Sequence, residues 1–100
     1  MDILIRDERK VKEIMQEFNE GFPYLKLEFF SQFHRKGELS PKDQMIAHEL
    51  PLGQIRKKHN SGTIKLDASK SVTQVESEFA EEYGLFVQIF RRSGNVWIGT

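Results

Sequence analysis

The chain has 100 residues, 38% hydrophobic and 11% aromatic, which is enough for one modest core and too apolar for a disordered segment. Lysine plus arginine and aspartate plus glutamate each total 15, so the chain lacks the positive excess from which most nucleic-acid binders draw affinity. The absence of cysteine excludes disulfides, thiolate zinc sites and thiol nucleophiles. No run of about 18 apolar residues could cross a membrane, and Arg6 to Lys10 end the short apolar start long before signal-peptide length. These bounds predict one cytoplasmic domain over residues 1–100.

Met1 to Ile5 reads as a short strand. Asp7 is then placed to cap a helix, because its carboxylate can accept from free amides two or three residues on. Val11, Ile14, Met15 and Phe18 follow in helical spacing as one apolar stripe, and Gly21 suits a left-handed stop. Leu25, Leu27 and Phe29 alternate with Lys26 and Glu28, the period of a strand with one face in water.

Between Phe30 and Gly62 the pattern is weaker. Ser40-Pro41-Lys42-Asp43 has the chemistry of a helix start. A second short helix is expected over Pro51 to His59, with Leu52 and Ile55 inward and Arg56, Lys57 and Lys58 mostly outward.

Beyond Gly62 the signals are local and clear. Thr63 to Leu66 reads as a strand. Ser71 and Gln74 have capping-box spacing, and Val72, Val75, Phe79 and Tyr83 form an apolar stripe that Gly84 ends. Leu85 to Phe90 reads as a strand, Ser93-Gly94-Asn95 as a turn, and Val96 to Ile98 as a hairpin partner.

Residues 1–30 and 62–90 thus both read strand, helix, strand. In series they predict an α+β fold of ferredoxin-like β-α-β-β-α-β order. It would carry a long helical insertion between the second and third strands and an added C-terminal edge strand. That fold usually joins those two strands by a hairpin, so a connection of about 30 residues should carry structure or a function of its own.

Candidate chemistry is sparse. His34, His48 and His59 have no metal-ligand spacing, and the serines lie in no nucleophile elbow. The expectation is no catalytic residue, no metal and no cofactor. A site in the connection would need two of the histidines to converge with an acid such as Asp43. The concentrated positive feature is Arg56-Lys57-Lys58-His59, with Arg91 and Arg92 as a second basic spot. Together these would contact phosphates if they shared a face; otherwise cations at 56–58 would offset a helix dipole. The RNA-recognition pattern of exposed aromatics on the first and third strands is missing.

The last hairpin is the most informative element. Phe86 and Phe90 lie on one face of its first strand and Leu85, Val87 and Ile89 on the other, so both faces are apolar. One must pack on the helices. The other, with Trp97, needs a cover: the connection led back by Phe29, Phe30 and Phe33, a protein partner, or a second copy of the chain.

Gly62-Thr63-Ile64-Lys65-Leu66, Phe79 to Leu85 and Val87 to Trp97, with Leu25 to Phe30, resemble small uncharacterised bacterial α+β domains. The resemblance implies a bacterial source and brings no catalytic residues. Thr63 to Leu85 is also similar to ubiquitin-like domains, but the strand-helix-strand opening argues against that fold, whose first two strands form a hairpin.

The reading that follows is a non-catalytic interaction or assembly domain. It would self-associate, as a homodimer, or bind a protein partner through its C-terminal hairpin and sheet edge, with Phe86, Phe90 and Trp97 as contact residues. The alternative is a nucleic-acid-binding domain using Arg56, Lys57, Lys58, Arg91 and Arg92.

Overall fold

Residues 1–31 and 45–99 are described by the structure, a computed structural model. The first strand, β1 (Asp2–Ile5), buries Ile3 and Ile5 and turns Asp2 and Leu4 outward. It leads to α1 (Val11–Gly21), whose Val11, Ile14 and Phe18 face the core. β2 (Leu25–Phe30) follows, then a single turn of helix, α2 (Leu52–Ile55). The second half runs through β3 (Gly62–Lys65), α3 (Val72–Tyr83), β4 (Phe86–Ser93) and β5 (Val96–Gly99).

The fold is α+β, with two antiparallel sheets and three helices among the described residues. β1 pairs with β3, Ile3 opposite Ile64. β2 pairs with β4, Leu27 opposite Ile89, and β5 pairs with the far end of β4. The strand order therefore departs from the ferredoxin-like expectation, because β2 lies beside β4 instead of forming a hairpin with β3. Each strand-helix-strand unit sends its first strand to one sheet and its second to the other.

The halves meet as rough equivalents. Ile3 and Ile64, Ile5 and Leu66, Val11 and Val72, Ile14 and Val75, and Phe18 and Phe79 recur at one constant spacing in the sequence. All but Val72 are buried, and Val72 packs against the same cluster, which also takes in Leu27, Phe29, Val87 and Ile89. Phe29 and Phe79 meet edge-to-face at its centre, with ring centroids 6.1 Å apart.

Local signals that close on themselves are found as expected. The Ser71 hydroxyl accepts from the Gln74 amide at 3.1 Å, and the Gln74 side chain accepts from the Ser71 amide at 2.7 Å. Gly84 ends α3 at φ 64°, a conformation that costs a residue without a Cβ nothing. Gly94 takes φ 60° at the first position of the two-residue hairpin loop.

Several expectations are corrected. Asp7 does not cap α1, which begins only at Val11. The Val11 and Lys12 amides instead donate to the carbonyls of Leu50 and His48, each at 2.9 Å, so a distant strand of backbone satisfies them. Gly21 is the last helical residue, not a left-handed stop, and Phe22 follows at φ −134°. The second face of β2 is not in water, since Glu28 is 4% exposed and Phe30 2%. The chain returns along this strand, bridging Phe30 to Met45 and bonding the Ile46 amide to the Phe29 carbonyl at 2.9 Å. The helix expected over Pro51 to His59 is one turn long. The helix start expected at Ser40 to Asp43, with His34 and Phe33, lies outside the described residues.

Candidate functional site

Strand register assigns side chains to the two faces of the β2-β4-β5 sheet. Leu27, Phe29, Val87 and Ile89 face the core with the helices. Lys26, Glu28 and Phe30 share the other face with Phe86, Gln88, Phe90 and, across the hairpin, Arg92 and Trp97. The three expected contact residues therefore do lie on one face.

That face is not uniformly apolar. At the hairpin end the Lys26 ammonium sits 5.5 Å from the Phe90 ring centroid and 5.3 Å from that of Trp97, so its charge is held against two aromatic faces. In the middle, the buried Glu28 carboxylate meets His48 Nε2 at 3.2 Å. At the other end, Phe86 opens onto a groove of about 820 Å³ between the start of β4, the end of α3 and the returning segment 45–58. Phe86, Phe90 and Trp97 are all half-buried. Beyond them β5 is, among the described residues, the terminal strand of its sheet, with Val96 58% and Ile98 39% exposed.

The basic segment has a different job from the expected one. Arg56 is buried, not outward: its Nε and Nη2 donate to Asp7 Oδ1 at 3.0 and 2.8 Å. Nη2 also donates to the Asn60 carbonyl at 2.8 Å, and Nη1 to the Tyr83 carbonyl at 3.1 Å. Lys58 Nζ donates to the Glu81 carbonyl at 2.6 Å and Asn60 Nδ2 to the Glu82 carbonyl at 2.8 Å. The Gly84 and Leu85 amides take the carbonyls of Ala80 and Phe79. Every carbonyl from Ala80 to Tyr83, the four orphaned by the end of α3, thus has a donor. Cations do offset a helix dipole here, but that of α3 and not of the short helix they follow.

Asp7 completes this clamp. Burial pushes its carboxyl pKa up, but hydrogen bonds from Arg56 and His59 outweigh that and hold it below its ordinary value. His59 Nδ1 lies 2.8 Å from Asp7 Oδ2. Nothing in the local pattern announces this cluster, because Asp7 and Arg56 are 49 positions apart.

Arg91 and Arg92 lie at the opposite end of β4 from the end of α3, roughly 17 Å away at about 3.3 Å per strand residue. As strand neighbours they point to opposite faces. The two basic spots are thus not brought together. His48 and His59 are not either, since each pairs with a different carboxylate. Among the described residues no three metal-ligating side chains converge, and no helix is long and apolar enough to cross a membrane.

In comparisons with protein-family models, curated proteins and solved structures, nothing matches this chain.

Proposed function

We propose that the protein is a non-catalytic assembly domain, with a second copy of the chain docked against β5. The observation that carries this reading is the character of that edge. Val96-Trp97-Ile98-Gly99 ends its sheet with exposed apolar side chains and holds none of the lysines or prolines that commonly blunt an exposed edge. Two such strands paired antiparallel would continue the sheet across a twofold axis and place Trp97 near the junction. Lys26, Phe90 and Arg92 lie on the Trp97 face, so part of the contact would be aromatic and cationic. The phosphate-binding alternative has less support, because Arg56 is buried and Lys58 caps α3.

Sedimentation velocity across a wide concentration range tests the reading. A monomer–dimer equilibrium is expected, weakened at least tenfold by Trp97→Ala and by Phe90→Asp while both variants keep the parent's circular dichroism. A species that stays monomeric to millimolar concentration overturns it.

A further inference from the structure

We infer that the groove beside Phe86 is a binding site for an amphipathic carboxylate, an aliphatic or aromatic body with one acidic head. Its volume of about 820 Å³ lies within the range of small-molecule sites, about 300–1,000 Å³. The walls are chiefly apolar: Ile46, Leu50 and Ile55 on the returning segment face Ala80 of α3 and Phe86 of β4.

The charges select the ligand. Arg56, Lys57 and Lys58 line the groove, and among the described residues no acidic side chain does. Arg56 is neutralised by Asp7, and Lys58 is held by the Glu81 carbonyl. Lys57 is exposed on the rim between them and is the cation placed to take an anionic head. The same clamp removes the main electrostatic objection. The groove lies by the C-terminal end of α3, where bare carbonyls would repel an anion, but donors from Arg56, Lys58 and Asn60 cover them. Among the described residues one uncommitted cation edges an apolar cleft, and this suits one acidic head with a tail better than a polyanion, which would need several.

The site is separate from the β5 edge, so the two readings fail separately. The test titrates the full chain with the fluorescent fatty acid 11-(dansylamino)undecanoate and, in parallel, with its uncharged methyl ester. Saturable micromolar binding of the acid is expected, at least tenfold tighter than that of the ester. Lys57→Glu should weaken it tenfold or more. Ala80→Trp should abolish it by filling the cleft, with thermal melting followed by circular dichroism to check that the variant folds. Phe90→Asp should bind the acid as the parent does. Equal affinity for acid and ester, or unchanged binding in Lys57→Glu, overturns the proposal; so does the absence of saturation below 1 mM.

Discussion

The two strand-helix-strand halves place equivalent apolar residues in one core, yet they finish their helices by opposite means. α3 starts with its own capping box, Ser71 with Gln74. α1 has only half of one, the Lys10 amide donating to Glu13 Oε2 at 3.0 Å, and gives its Val11 and Lys12 amides to backbone near residue 50. At their other ends, α1 runs out through Phe22, whose amide bonds to the Phe18 carbonyl at 2.9 Å. α3 has its last three carbonyls taken by side chains of residues 56, 58 and 60. The segment from Met45 to Asn60 therefore ties the start of one helix to the end of the other. A helix end must find partners, but nothing requires them to be near in sequence.

The strongest way to break this arrangement is Arg56→Met. It removes four hydrogen bonds at once and leaves the Tyr83 carbonyl without a charged donor, so a loss of about 3 kcal/mol is expected in urea denaturation. A loss below about 1 kcal/mol would mean that water replaces the guanidinium at little cost. The next comparison sets one helix start against the other. Ser71→Ala should cost about 1 kcal/mol, as N-cap removals commonly do. Lys10→Ala should stay within about 0.5 kcal/mol, because α1 is capped through backbone that the substitution leaves alone. Equal costs would show that the distant carbonyls contribute nothing special.

The smallest effect is the pH dependence carried by Asp7. Its folded-state pKa is depressed, so its contribution is fully present above the ordinary carboxylate range. It fades as pH falls through the lower folded value. Denaturation of the parent and of Asp7→Asn between pH 7 and pH 2 should show the parent's advantage shrinking in the acid range. A constant difference across that range would remove Asp7 as its source.

Much of the fold was legible because its determinants are short-range. The Val72-Val75-Phe79-Tyr83 stripe, the Ser71 box, the glycine at 84 and the Gly94 turn each involve residues within one or two turns of chain. The two-sided apolar strand was equally readable: its register puts Phe86, Phe90 and Trp97 on one face, though Phe86 lies at the opposite end of β4 from Trp97. Asp7 and Arg56 misled for one reason. Each has a plausible local role, a cap and a solvated cation, and each found a more complete set of partners far away. The groove left no trace in the sequence, since its walls come from the returning segment, α3 and β4.

By itself the sequence determined the helix and strand periods, the positions of the core residues and the absence of cysteine chemistry, all properties of side chains and of spacing along the chain. The tertiary structure decided which strands pair, that β2 lies beside β4, and that a basic run becomes a helix cap instead of a free patch. Those outcomes depend on which unsatisfied amides, carbonyls and charges meet in space, and a buried guanidinium is held only where all its acceptors converge.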